Sequence, residues 1–446
     1  MSPCPFYGHR PAFRRPLIDS PDTLLIRDAA VRLQSSPAAS STLMTQSSKR
    51  IAVLFHIADF NDGGIESSLM QWLRIYDRAR FTVTLSVMFS SPAFEQRFRA
   101  QIPADVGVEI LTDKPWLNLF QARRYAHRLS KLGRVGRDVF NTLAVRPYVK
   151  TRVAALAQRH DIIIDFDMSL RRLAGRFGVA WLGVNHFSFD ARLGGRRRKM
   201  KRLLAQYDRY DGIAALNRQM ADEATELFKG HLRNVFVLPN AIDIDRIREN
   251  GAIVEPPPCA GPYIVSVARL DEIQKDHRTL LRAYAQLVGM HDNGGLPEDL
   301  VIVGDGGFRG ELEALAVELG IGKRVHFTGY RNNPHAVVAH ASALVLSSRY
   351  EGMPMVLLEA LALGKPVIST DCPTGPREIL DDGRFGLLVP VGNVDAMAGA
   401  LSRLLSDHAL REGFTREALE RARAYGVEAS NERFVACVTR ILQERG

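Results

Sequence analysis

Ala343-Leu-Val-Leu-Ser-Ser-Arg-Tyr-Glu-Gly-Met-Pro-Met-Val-Leu-Leu-Glu-Ala-Leu-Ala-Leu-Gly-Lys-Pro-Val-Ile-Ser-Thr-Asp371 reads as one complete βαβ unit. Residues 343–348 form the short apolar run that buried parallel strands use, and Arg349–Pro354 carry loop chemistry. Met355–Leu363 are strong helix formers closed by Gly364, and Val367–Thr370 begin the next strand. Pro354 suits the first helical position, where a missing N–H costs nothing. The free amides and positive dipole end of that helix then face whatever lies above the strand ends, which favours an anion there. Two carboxylates, Glu351 and Glu359, flank the helix start. On one continuous helix they would stand roughly 12 Å apart along the axis, at ~1.5 Å per residue. The plain reading makes Glu351 a cap and Glu359 a solvated side chain. Glu359, however, is flanked by Val356, Leu357, Leu358, Ala360 and Leu361, so the helix is apolar nearly all round. A carboxylate buried there requires a partner.

At 446 residues the chain is too long for one ordinary core and suits two domains of about 200 residues each. A hydrophobic content of 46% with 24% charged residues is that of a globular protein, and no run approaches the ~18 apolar residues of a membrane span. Lys and Arg number 59 against 49 Asp and Glu, a balance of +10 that favours anionic partners. Cys4, Cys259, Cys372 and Cys437 are scattered without a C-x-x-C pair or a His cluster, which points to neither a zinc site nor a disulfide framework. Residues 1–48, rich in Arg, Ser and Pro, lack periodicity and are expected to be disordered or an upstream start ahead of Met44.

From Ile51 strands and helices alternate. Ile51–Ile57, Phe81–Met88, Val108–Leu111, Asp161–Phe166, Trp181–Asn185, Gly212–Leu216 and Val235–Leu238 are strand-like, giving a doubly wound α/β domain over residues 49–250. Gly251–Pro262 is a proline-stiffened linker, and residues 263–425 form a second doubly wound domain. Residues 393–445 read as amphipathic helices, with Cys437 at a buried position.

Several strand-end residues are candidates for chemistry. Gly63 and Gly64 close the first βα loop and would let the backbone approach a phosphate, or merely make a turn. His186 follows an apolar strand where it opens to solvent. Arg269 ends the strand Tyr263–Ala268, and Lys275 lies six residues on; two cations around one loop can clamp a diphosphate. Leu300-Val-Ile-Val-Gly304-Asp-Gly-Gly-Phe-Arg309 fails the dinucleotide fingerprint because Arg309 replaces the third glycine, but Gly304 still permits close backbone approach. Asp165-Phe-Asp167 spells D-x-D and reads as a chance match to a metal motif, with Asp167 placed on the acceptor side; Asp243 reads as a helix start. Arg196, Arg197, Arg198, Lys199, Lys201 and Arg202 interleave with Met200, Leu203 and Leu204. That segment is a solvated helix, a contact with an anionic membrane surface, or a site for a diphosphate-linked lipid. No nucleic-acid reader motif accompanies the charge.

Glu351-Gly-Met-Pro-Met-Val-Leu-Leu-Glu359 followed by Ala-Leu-Gly-Lys-Pro-Val-Ile-Ser-Thr-Asp371 resembles the E-x7-E signature of retaining GT-B glycosyltransferases of the family 4 group, a likeness running from about Ile51 to the C-terminus. The resemblance implies two Rossmann-like domains facing a central cleft, with a last helix, 426–446, crossing back to the first. It implies transfer of a hexose or N-acetylhexosamine from a nucleotide sugar, most often UDP-linked, to a glycan or glycolipid hydroxyl in surface polysaccharide or lipopolysaccharide assembly. No metal and no further cofactor are expected, and the cytoplasm or the inner membrane face is the expected location. By the same resemblance Glu351 holds sugar hydroxyls, Glu359 the ribose, and the amides of Gly352, Met353, Met355 and Val356 the donor. Pro354 removes one such amide. His186 steadies charge near the reacting carbon, Arg269 and Lys275 grip the diphosphate, and the Gly63–Gly64 loop lines the cleft. Gly304, Gly329, Tyr330 and Arg331 surround the base, with Thr374 and Gly375 on the phosphate side. Other readings of such a chain are a sugar-nucleotide epimerase, a glycan phosphorylase, or a silent nucleotide-sugar-binding module.

Overall fold

The computed structural model of the chain describes residues 49–61, 63–121, 130–189, 197–291 and 298–445. Two parallel sheets organise them. The first holds β1 (Ile51–Ile57), β2 (Phe81–Val87), β3 (Gly107–Ile110), β4 (Ile162–Asp165), β5 (Ala180–Asn185), β6 (Gly212–Ala215) and β7 (Val235–Val237) in the order β3-β2-β1-β4-β5-β6-β7. The second holds β8 (Tyr263–Val267), β9 (Asp299–Val303), β10 (Val325–Gly329), β11 (Ala343–Leu346), β12 (Val367–Thr370) and β13 (Leu387–Val389) in the order β10-β9-β8-β11-β12-β13. β4, β5, β6, β11 and β12 are buried along their whole length, as near-continuous Ile, Val, Leu and Ala runs demand when helices cover both faces.

Each sheet reverses direction of winding once, between β1 and β4 in the first and between β8 and β11 in the second. Ligands of open α/β sheets settle at such switch points, outside the carboxyl ends of the strands. The loops leaving β1, β4, β8 and β11 therefore define where chemistry can occur.

The last helix, Val427–Gln443, packs on the first sheet although it follows the second in sequence. Phe434 stacks on Phe55 at 5.9 Å and meets Trp72 at 5.2 Å and Phe81 at 5.1 Å. Beyond it Arg445 donates to Asp211 Oδ2 at 2.7 Å. Removing so buried a ring costs about 3–5 kcal/mol, so this helix fastens the two halves of the fold. Cys437 lies buried in the same face.

Candidate active site

The organising βαβ unit starts its helix one residue later than the sequence suggests. Pro354 is the N-cap (φ −71°, ψ 105°) and the helix runs Met355–Ala362. Glu351 therefore lies in the loop, four residues before the helix, and the helical spacing of about 12 Å between the two acids does not apply. The loop leaves β11 and folds back over the strand ends, held by the Ser348 carbonyl, which accepts from Thr370 Oγ1 at 2.6 Å. Glu351 N donates to Pro373 O at 3.3 Å, and Thr374 Oγ1 donates to Glu351 O. Thr374 takes a left-handed φ of 61° to do so, and Gly375 follows at 95°.

That backbone aims the Glu351 carboxylate at the loop after β8. Lys275 Nζ donates to its Oε1 at 2.6 Å and Ser348 Oγ to the same oxygen at 2.6 Å, while Gln274 Nε2 stands 3.5 Å from Oε2. The pair is nearly enclosed, with side-chain exposures of 16% for Lys275 and 7% for Glu351. The structure thus joins two sequence candidates directly: the lysine expected on a diphosphate is partnered by the acid expected on the sugar. Neither Ser348 nor Gln274 is named as a site residue from the sequence: Ser348 is counted there in the strand, which ends at Leu346, and Gln274 is marked only by its place beside Lys275. Arg269 is exposed at the end of β8, and among the described residues no carboxylate lies within ion-pair distance of it.

Glycines bring the neighbouring strand ends together. Gly304 (φ 138°) donates its N–H to Gly329 O at 2.9 Å, and a Cβ on it would stand 2.0 Å from Ala268 O. Only glycine lets the loops after β8, β9 and β10 close on one another here. Tyr330 is exposed beyond β10, its ring 5.4 Å from the Arg97 guanidinium, and Arg331 pairs with Glu255 at 3.6 Å. Glu359 is half-buried, facing His335 Nε2 at 3.6 Å, so the partner its position demanded is a histidine on the helix Pro334–His340. Val356, on the helix Met355–Ala362 with Glu359, is half-buried, and Met353 and Met355 are buried.

The first half meets this loop closely. A Cβ on Gly352 would lie 2.0 Å from His186 O, and Asn217 Nδ2 donates to Gly352 O at 2.9 Å. Asn240 N reaches Met353 Sδ at 3.2 Å. His186 itself is buried, and its Nε2 donates to Phe166 O at 2.7 Å, which leaves Nδ1 as an acceptor. Burial lowers its pKa to about 4, so the ring is neutral at pH 7.

Around the β1–β4 switch point the chemistry is acidic. Asp167 accepts from Ala58 N at 3.0 Å and Ser169 N at 3.1 Å, and Asp165 from Tyr210 OH at 2.6 Å. Burial raises Asp165 well above the ordinary carboxylate range, with Asp167 beside it adding to the shift. Glu66 is buried, accepts from Asn61 N at 3.0 Å and is raised to about 7, again chiefly by burial. Gly63 has an extended φ of −133°, and a Cβ there would stand 2.7 Å from Glu66 Oε2. The glycine makes room for a carboxylate, whereas Gly64 opens the helix Gly64–Ile75 in free space. That surrounding of acids is the physical argument against a phosphate on this loop. His56, Asp165 and Asp167 place ligand atoms within 4.8 Å of one another, so D-x-D does belong to a polar cluster. Asp243 caps the helix Ile244–Gly251, accepting from Arg246 N at 3.1 Å. Of the basic segment, Arg196 lies outside the described residues, and Lys201 and Arg202 are exposed on the helix Arg197–Tyr207.

Residues 261–407 match the family model described as Glycosyl transferases group 1. The chain carries a glycosyltransferase group 1 domain. Over 219 residues it is 34% identical to an N-acetylgalactosamine-N,N'-diacetylbacillosaminyl-diphospho-undecaprenol 4-alpha-N-acetylgalactosaminyltransferase of Campylobacter jejuni, covering 49% of this chain and 57% of the relative. Over 180 residues it is 35% identical to a lipopolysaccharide 1,6-galactosyltransferase of Salmonella typhimurium, covering 39% and 47%. The chain spans about half the length of these curated relatives. HepE of Anabaena, solved in complex with UDP and glucose, superposes with a TM-score of 0.67 at 18% identity, covering 88% of this chain and all of that one. The lipopolysaccharide outer core galactosyltransferase WaaB superposes at 0.59 with 20% identity, covering 87% and 99%. The fold is GT-B, with the group 1 domain supplying the β8–β11 crevice.

Proposed function

We propose that the protein is a glycosyltransferase that moves a hexose or N-acetylhexosamine from a nucleotide sugar, UDP-linked by preference, to a hydroxyl of a lipid-linked or lipopolysaccharide glycan at the inner membrane face. The observation that carries this reading is the enclosed Lys275–Glu351 pair, next to Gly352, whose backbone lies against the His186 carbonyl of the first half. A diphosphate arriving at Lys275 and exposed Arg269 would draw the ammonium toward itself and release Glu351 to accept sugar hydroxyls. Charge developing on the departing phosphate meets those cations, which stabilises the transition state without reorganising solvent. Neutral His186 offers Nδ1 as an acceptor near the reacting carbon. No second carboxylate sits beside Glu351 among its described partners, which favours retention by same-face substitution over a covalent glycosyl-enzyme. On the facing side Asp167, Glu66 and Asp59 present acceptors for the hydroxyls of an incoming glycan. The relatives' printed activities on undecaprenol-linked and lipopolysaccharide glycans support this acceptor class.

The test is a donor screen of the purified protein: UDP-, GDP- and ADP-sugars offered with glycolipid acceptors and the products read by mass. Transfer from one UDP-sugar is expected. Donor conversion without acceptor would indicate an epimerase, and binding without turnover a silent module.

A further inference from the structure

Away from the cleft, the first half of the molecule turns an apolar stripe toward solvent. On the helix Lys131–Phe140 and the turn after it, Leu132 (84% exposed), Val135, Val139 and Leu143 (74% exposed) recur at intervals of three and four residues and therefore share one face. An amphipathic helix of a globular protein points such a stripe at the core; here the flank beside it does the packing, through Phe140 against Trp116 at 6.2 Å and Phe120 at 5.6 Å. The turn Pro115–Asn118 and Leu119 extend the patch, with Trp116 47% exposed and Leu119 also in solvent. Scattered exposed leucines need no explanation, but a contiguous stripe does.

Cations border it. Lys131, Arg134, Arg146 and Lys150 are exposed along the same segment. Arg146, with Arg171 and Arg202 nearby, stands close enough to Arg172 to hold that guanidinium below its ordinary range. Arg202 is exposed on the helix Arg197–Tyr207. On the helix Asp138 is paired with Arg137 at 2.8 Å, and below it Asp113 accepts from Tyr148 OH at 2.7 Å. The turn Pro115–Asn118 follows the carboxyl end of β3, on the rim of the sheet that also carries the loops after β1 and β4.

We propose that the stripe Leu132–Val135–Val139–Leu143, with Trp116 and Leu119 and the arginines around Arg172, is a docking face for an anionic phospholipid bilayer. Apolar side chains enter the headgroup boundary while lysines and arginines meet lipid phosphates. A second copy of the chain is the poorer occupant, because it would bring two cationic rims together. Docked this way, the acceptor side of the cleft opens along the membrane, where a lipid-linked glycan is presented.

The test uses the full chain and vesicles of phosphatidylglycerol or phosphatidylcholine, with neither donor nor acceptor, so its outcome is separate from that of the donor screen. The protein is expected to sediment with phosphatidylglycerol only, and less so as ionic strength rises. Of the three tryptophans Trp72 and Trp181 are buried, so a blue shift of emission on binding reports Trp116. Leu132→Ser/Val139→Ser/Leu143→Ser should lower partitioning by about tenfold or more at an unchanged melting temperature. Arg146→Glu/Arg172→Glu/Arg202→Glu should do the same through charge. No binding to phosphatidylglycerol by the parent chain, equal binding by both triple variants, or a dimer that the serine variant abolishes would overturn the proposal.

Discussion

The two switch-point crevices share a topology and differ in charge. At β8–β11 the buried carboxylate Glu351 is matched by Lys275, Ser348 and Gln274, with glycine-tight backbone at Gly304 and Gly329. At β1–β4 Asp59, Glu66, Asp165 and Asp167 gather beside the buried rings of His56 and His186, and burial shifts protonation: Glu66 up to about 7, His186 down to about 4, His56 to about 3. One crevice is built around balanced charge that an anion can displace. The other holds Glu66 and Asp165 short of full ionisation among acidic neighbours, suited to hydroxyls and hostile to phosphate. A doubly wound sheet supplies the place, and side chains decide which ligand it takes.

Breaking the balanced crevice should have the largest effect. Glu351→Ala should lower kcat by at least roughly 10²-fold in the transfer assay while UDP affinity by calorimetry moves little. It should also destabilise the fold by about 2–3 kcal/mol in urea unfolding, since Lys275 is left without its partner. Gly304→Ala comes next. Its Cβ overlaps the Ala268 carbonyl, so the loop bearing Arg269 must shift, and UDP should bind about tenfold more weakly.

The acidic crevice is sharpened by pH. Glu66 has a folded pKa of about 7 against an ordinary 4.5, so between those values the folded state keeps a proton the unfolded chain has lost. Stability from this group is therefore full below about 4.5 and declines as pH rises to about 7, by about 3 kcal/mol at most. Glu66→Gln should flatten that slope and melt higher than the parent at pH 8. The smallest effect is expected at Glu359, half-buried beside His335: Glu359→Gln should weaken UDP binding a few-fold and leave the melting temperature nearly unchanged.

Most of the fold was legible because parallel strands write themselves as unbroken runs: Ile162-Ile-Ile-Asp165 and Ala343-Leu-Val-Leu346 are strands in both readings, with ends that differ by one or two residues. The helix after β11 was legible too, except that Pro354 caps it instead of opening it. What escaped were facts of distance. Nothing in the order of residues says that Lys275 and Glu351, 76 positions apart, would touch, or that Gly352 would lie against the His186 carbonyl. Gly63 and Gly64 show the same limit, since a glycine pair can admit a phosphate or a neighbouring carboxylate, and only the position of Glu66 separates the two. The stripe at Leu132–Leu143 has the ordinary period of a core helix; which way it faces is set by the packing of Phe140 and Trp116.

The most direct measurement is a crystal structure of the protein with UDP. The diphosphate is expected in the β8–β11 crevice, in contact with Arg269 and Lys275, with the Lys275–Glu351 contact lengthened beyond its 2.6 Å. A diphosphate bound among Asp59, Glu66 and Asp167, or one that leaves Lys275 locked on Glu351 and touches neither cation, would contradict the account.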